Sequence, residues 1–122
     1  AHAGTLFVAD AGNHAVRAVD LTTGVVRTLA GTGARVRTRD DRQAGAMASP
    51  WDLAYLVIGG RPALAVAMAG THQLWRYDVR ADRLVPTVGG RGEALRDGSA
   101  PDALLAQPMV IAASVDGAHL WW

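Results

Sequence analysis

The chain has 122 residues, enough for one ordinary domain; half are hydrophobic, but only 6% are aromatic. Its net charge of +1 gives no electrostatic case for nucleic acid or an anionic membrane as a partner. The absence of cysteine excludes a disulfide framework or a cysteine-based zinc or redox site within these residues. The apolar runs, such as 53–58, are far shorter than the roughly 20 residues that span a bilayer, so no membrane association is predicted. The compartment stays open, with the cytoplasm slightly favoured.

The first predicted unit is a meander of three strands. Residues 4–10 hold the continuous apolar run Leu6-Phe7-Val8-Ala9, which is typical of a strand covered on both faces. A turn at 11–14 leads into a return strand at 15–21, and a turn at 22–24 leads into a third strand at 25–29. We expect Gly12 to adopt the positive φ that a tight hairpin requires.

A longer unit follows. Residues 34–45 are polar and predict a solvated loop, with one helical turn expected at 44–48. Ser49-Pro50-Trp51-Asp52 starts the next predicted strand, with the proline at its first position, and the strand continues through 53–58. Further strands are predicted at 63–68, 73–79 and 83–88. A second long loop at 93–106 leads into a strand at 109–114, a hairpin turn at Asp116-Gly117 and a further strand that begins at 119.

Two stretches, 6–20 and 64–78, are copies of one pattern. Three pairs of residues each differ by 58 in number: Gly12 and Gly70, His14 and His72, Asp20 and Asp78. This period lies just above the roughly 20–50 residues that are usual for repeat architectures. We match Thr28-Leu29-Ala30-Gly31 to residues 87–90, a step of 59, and therefore expect a one-residue insertion in the second copy.

A four-stranded antiparallel module that repeats in register predicts an all-β fold, a β-propeller fragment of about two four-stranded blades. We assign 1–33 to the last three strands of one blade, 34–49 to an inter-blade loop and 50–92 to a complete blade. Residues 93–107 form a second inter-blade loop, and 108–122 start the next blade. Because the chain stops within a strand, we expect it to be a piece of a larger protein.

These segments resemble the NHL repeat, which is named for an Asn-His-Leu turn. The matching residues are 6–17, Asp20-Leu21 with Gly24, 28–33 and 49–53; the turn reads Asn13-His14-Ala15 here, and Thr71-His72-Gln73 in the second copy. Residues 67–75, with Asp97-Gly98 and Gln107-Pro108, resemble the subfamily that joins a thioredoxin-like domain to an NHL propeller. The resemblance implies a propeller of six blades. It also implies a thioredoxin-like domain before Ala1, and any redox chemistry would belong to that domain.

A binding site is expected on one face. Strands of a blade alternate in direction, so the turn between its second and third strands opens on the same face as the inter-blade loops. We call this the long-loop face, and loops of this kind carry function more often than short turns do. Asp52 joins the candidates because a first strand lies nearest the propeller axis. The candidate ligand-face residues are Asn13, His14, Arg35, Arg37, Arg39, Arg42, Asp52, His72, Arg91 and Arg96.

Most of these candidates also have a structural interpretation, which we favour. His14 and His72 could bind a metal, but as equivalent residues of two blades they are expected to brace their own turns. Gly12, Gly70, Asp20 and Asp78 are predicted to be structural turn residues, Asp10 to cap the amides of its turn, and Trp51 to pack between blades rather than to form a stacking platform. The stretch 35–42 has four arginines, two aspartates and no interleaved aromatic residue, so a solvated loop is favoured over a phosphate or RNA site.

The sequence therefore predicts a non-catalytic binding or scaffold propeller segment that recognises a protein or a small ligand on the long-loop face. The remaining blades of the same propeller are its expected structural partners; no metal or cofactor is predicted, and nucleic acid is disfavoured. Two alternatives remain: a metal-dependent lyase or lactonase, and an RNA-binding surface. An enzyme of that kind should place several histidines or acids on its first strands, where only Asp52 is found.

Overall fold

The computed structural model of the protein describes residues 2–35, 47–90 and 92–122. Its regular structure consists of nine strands and two single-turn 3-10 helices, at Ala11–Asn13 and Ala69–Thr71. The strands are β1 (Thr5–Asp10), β2 (Ala15–Asp20), β3 (Val26–Ala30), β4 (Pro50–Ile58), β5 (Arg61–Met68), β6 (Gln73–Asp78), β7 (Arg83–Val88), β8 (Ala112–Ala113) and β9 (Leu120–Trp121).

The strands form three antiparallel sheets, each of which follows chain order: β1-β2-β3, β4-β5-β6-β7 and β8-β9. The second sheet is a complete four-stranded blade. The first contains the last three strands of a blade and the third contains the start of one. The all-β prediction of a β-propeller fragment is therefore confirmed.

β4 begins at Pro50, the proline predicted at the first strand position, and Pro50 pairs with Met68; a bulge then leaves Trp51 without a partner before Asp52 pairs with Ala67. One strand differs in extent from the prediction. The strand predicted at 109–114 shrinks to Ala112–Ala113, the two residues that pair with β9. The helical turn predicted at 44–48 lies mostly outside the described residues.

The two copies match at a step of 58 through their last strand, so the predicted insertion and the step of 59 are wrong. β2 pairs Val16 with Ala30 and β6 pairs Leu74 with Val88, and a bulge follows at the same place in each copy. The equivalent of Gly31 is thus Gly89, with φ of 101° and 102° respectively.

The prediction of positive φ at Gly12 is also wrong. In both turns the left-handed residue is the histidine, with φ of 49° at His14 and 57° at His72, because each turn is a 3-10 helix that the histidine closes. Gly70 is needed for a different reason: a Cβ there would lie 2.5 Å from the carbonyl oxygen of Ala48. A Cβ at Gly12 would meet nothing within 4 Å.

The core is divided into two layers, one on each side of the second blade. β5 alternates between them, sending Leu64, Val66 and Met68 into the layer shared with the first blade, and Ala63, Ala65 and Ala67 into the layer shared with the third. Burial on both faces explains why β5 is continuously apolar. The alanines on one side allow close approach of the neighbouring sheet, which accounts for the alanine-rich composition.

Candidate functional site

The long-loop face is formed as the strand directions predicted, because the turns between second and third strands contact the inter-blade loops. The amide of Gly70 donates to the carbonyl of Ala48 at 3.0 Å. In the second loop, the amides of Gly89 and Gly90 donate to the carbonyls of Ala100 and Ala103 at 2.9 and 2.6 Å.

His14 and His72 have a structural role, but each holds the start of the next blade rather than its own turn. Nδ1 of His14 accepts the amide N–H of Ser49 at 3.1 Å. Nδ1 of His72 accepts that of Gln107 at 3.2 Å. Both amides belong to residues with positive φ, 52° and 42°, that immediately precede a proline. Residues before proline prefer extended backbone, so this contact stabilises an unfavourable conformation at both junctions.

Asp52 connects two neighbouring first strands. Its Oδ1 accepts the amide N–H of Leu53 at 2.8 Å, and its Oδ2 accepts that of Ile111, at the start of the third blade, at 2.9 Å. Both carboxylate oxygens are thus engaged by backbone amides. The equivalent residue of the third blade is Val110, which cannot make this bond.

Asp10 does not cap the amides of its turn, contrary to prediction. It accepts hydrogen bonds from Nε of Arg17 at 2.6 Å and from Nδ2 of Asn13 at 2.9 and 3.0 Å. The hydrogen bond from Arg17, with help from Asn13, lowers the pKa of Asp10. Arg17 also donates to Oγ1 of Thr28 at 3.0 Å, so this cluster binds the turn to β2 and β3 and occupies the Asn13 amide.

Asp20 and Asp78 fix the following hairpins, as predicted. Oδ1 of Asp20 accepts the amides of Thr22 and Thr23 at 2.8 and 2.9 Å, and Oδ1 of Asp78 accepts those of Arg80 and Ala81 at 3.0 and 2.9 Å. These amides lower the pKa of both carboxyl groups.

Of the candidate arginines, Arg96 organises the second inter-blade loop. Its backbone pairs with Leu104 in both directions, and its Nη2 donates to the carbonyl of Asp102 at 2.7 Å. Arg35 is exposed and forms a parallel bridge with Met47. Arg37, Arg39, Arg42 and Arg91 lie outside the described residues.

Large apolar side chains on this face were partly missed by the sequence reasoning. Trp51 is 54% exposed in this segment, which holds only the last three strands of the preceding blade, so its packing between blades stays a prediction. Its equivalent, Met109, is 52% exposed, and Leu95 in the second loop is 97% exposed. The signal for Met109 was the shared position after a proline, 58 residues beyond Trp51.

Within residues 2–35, 47–90 and 92–122, no group of three or more histidines and carboxylates is placed to hold a metal ion. No helix in that part of the chain is long and apolar enough to cross a membrane.

No protein-family model matches the chain. The protein SUPPRESSOR OF QUENCHING 1, chloroplastic, of Arabidopsis thaliana is 35% identical over 116 residues, which are 91% of this chain and 11% of that protein. NHL repeat-containing protein 2 of Homo sapiens is 38% identical over 80 residues, 57% of this chain and 11% of that protein. The chain is a segment of an NHL-repeat β-propeller. It spans only about a tenth of the length of these curated relatives.

Solved structures agree with this fold. A crystal structure of an auxiliary nutrient binding protein from Bacteroides thetaiotaomicron superposes on 93% of the NHL-repeat segment and 30% of its own chain, with a TM-score of 0.76 and 13% identity. A second protein from that organism, of unknown function, gives a TM-score of 0.72 at 16% identity, over 93% of the segment and 28% of its own chain. At these identities the likeness concerns the fold alone.

Proposed function

We propose that this NHL-repeat segment belongs to a non-catalytic binding or scaffold propeller that recognises a partner protein through its long-loop face. The observation that supports this most is a contrast on that face. Its large apolar side chains are exposed, whereas its side chains of catalytic type are engaged by backbone amides.

The apolar side chains have the character of an interface. Tryptophan and methionine are enriched where proteins bind one another, and tryptophan is frequent among the residues that contribute most to affinity. Trp51 is the extra residue of a β-bulge, a feature that often redirects a side chain beside a functional site. Met109, its equivalent, is half exposed in a segment that contains only the start of its own blade.

The backbone that carries these side chains is held in place. A proline precedes each of them, and the residue before each proline is bound by His14 or His72. The bond from Ile111 to Asp52 then ties the two first strands together. Preorganisation of this kind lowers the entropic cost of binding.

Three groups that an enzyme could use have other partners. Nδ1 of His14, Nδ1 of His72 and both oxygens of Asp52 accept backbone amides at three separate places. A lyase or lactonase centre would need such groups to converge around the axis. This favours the binding interpretation over the enzymatic one.

The test compares capture of partners from native extract by the full-length protein and by its variants, with quantitative mass spectrometry. Trp51→Ser and Leu95→Ser should each reduce recovery of the same specific partner. Leu21→Ser is the matched control, since Leu21 is 55% exposed in the hairpin on the opposite face. A thermal melt of each variant separates lost binding from lost folding. Equal recovery by all four proteins would refute the proposal.

The alternatives give different results. Retention of the full-length protein on RNA that collapses with added salt would favour an RNA-binding surface. A turnover that needs added metal and is lost in Asp52→Asn would favour an enzyme.

We further propose that the protein carries a thioredoxin-like domain before Ala1 and is cytoplasmic. A search of the upstream reading frame for Cys-x-x-Cys tests the first point, and cell fractionation tests the second.

A further inference from the structure

The same contact closes both blade junctions of the segment. In each, an imidazole Nδ1 meets the backbone N–H of a residue 35 positions later, at 3.1 Å for His14 and Ser49 and 3.2 Å for His72 and Gln107. The two contacts are equivalent under the repeat, since both partners are displaced by 58 residues. Their recurrence makes them a property of the architecture rather than of one loop.

The chemistry of the contact determines the protonation state of the ring. A backbone N–H can only donate, so Nδ1 must supply a lone pair. The ring is therefore neutral, with its proton on Nε2. If Nδ1 gained a proton, two N–H groups would face each other, and the hydrogen bond would be replaced by repulsion.

We infer that His14 and His72 are pH-responsive latches, which hold the start of each following blade when neutral and release it when protonated. Histidine is the side chain whose charge ordinarily changes between about pH 5 and 8. Because the neutral ring makes the contact, the latch contributes stability at high pH and loses it as the pH falls. The released residues, Ser49 and Gln107, lead directly into the segments that carry Trp51 and Met109, so release disturbs the long-loop face.

The surroundings of the two rings differ. Oε2 of Glu93 lies 3.8 Å from Nε2 of His72. Near His14, Oγ of Ser49 lies 3.4 Å from Nδ1 and can accept a hydrogen bond from that nitrogen when it carries a proton. The charged side chains of the adjoining strands, Asp10 and Arg17, pair with each other, and Arg35 bridges to Met47 in the connecting loop.

Hydrogen exchange of the full-length protein, followed by mass spectrometry between pH 5 and 8, tests the inference. Rates are corrected for the intrinsic pH dependence of exchange. Protection of peptides that contain Ser49 and Gln107 should fall by about five-fold between pH 8 and 5, the equivalent of one ordinary hydrogen bond. Protection in the centre of β5 should stay constant.

The matched variants are His14→Asn and His72→Asn. Asparagine tolerates left-handed backbone and offers an Oδ1 acceptor in place of Nδ1, but it does not titrate. Each variant should lose the pH dependence at its own junction only, whereas His119→Asn, a control in the third blade, should retain both. Protection that does not vary with pH in the wild type, or that varies equally in the asparagine variants, would overturn the inference.

Discussion

Replacing Gly31 by alanine should destabilise the first blade by about 2–6 kcal/mol. Its φ of 101° lies in a region that only glycine adopts readily, which costs another residue about 1–3 kcal/mol. An added Cβ would lie 2.3 Å from the carbonyl oxygen of His14 and 2.6 Å from Cα of Ala15, and such overpacking typically costs about 1–3 kcal/mol. The backbone on both sides is anchored, since β2 and β3 pair at this end, so the strain has little room to relax.

Native-state hydrogen exchange of the full-length protein measures the effect, because it gives the free energy of opening for peptides of β2 and β3 separately from other domains. Gly12→Ala is the control; Gly12 has no positive φ and an added Cβ meets nothing within 4 Å, so its effect should stay within about 0.5 kcal/mol. Gly89→Ala should repeat the loss in the second blade, more weakly, because its nearest contact is 2.8 Å. If the peptides of β2 and β3 open with equal free energy in the Gly31→Ala and Gly12→Ala variants, the assignment of Gly31 as the strained glycine is wrong.

Three further outcomes are expected. Asp52→Ala should leave the amide of Ile111 without its acceptor and cost about 1–3 kcal/mol, seen as faster hydrogen exchange of that amide. Unchanged exchange would show that the hydrogen bond between Ile111 and Asp52 contributes nothing to stability. The pKa of Asp78 is lowered by the amides of Ala81 and Arg80, so its stabilisation is present above its ordinary value of 3.8 and is lost as the pH falls through the lowered pKa. Asp78→Asn should therefore flatten the acid limb of a stability-against-pH curve, and an unaltered limb would contradict this. Burial and the hydrogen bond to Asp82 raise the pKa of Tyr77 to about 12, so stability should decline as the pH rises from 10 towards 12, and Tyr77→Phe should remove the last phenolate transition from an absorbance titration.

Local patterns predicted the strands well because their causes are local. The continuous apolar run of β5 follows from burial on both faces, and the carboxylates of Asp20 and Asp78 act within three residues of their own positions. The shared face of turns and long loops follows from strand direction alone. These features could therefore be read from spacing and residue type.

The errors arose where partners lie far apart in the chain. A glycine in a turn marks the turn, but it does not say which residue takes positive φ; His14 takes it because its ring then reaches Ser49, 35 residues later. Two adjacent glycines at 89 and 90 made the copies alignable at either 58 or 59, and the strand pairing together with the backbone angle identifies Gly89 as the equivalent of Gly31.

The exposure of Trp51 also depends on tertiary structure. The bulge between Pro50 and Asp52 removes Trp51 from the alternation of its strand, and the blade before it is represented here by three strands only. The local composition does not predict that bulge.

The identical anchoring of Ser49 and Gln107 has a consequence for how such proteins diversify. The two connecting segments, 31–49 and 89–107, have the same length but differ in charge and sequence, yet each ends on the same fixed point, so the scaffold tolerates different residues between them. One connecting segment could therefore be exchanged for another of the same length, provided that the histidine whose Nδ1 accepts the terminal amide N–H and the proline that follows that amide are kept.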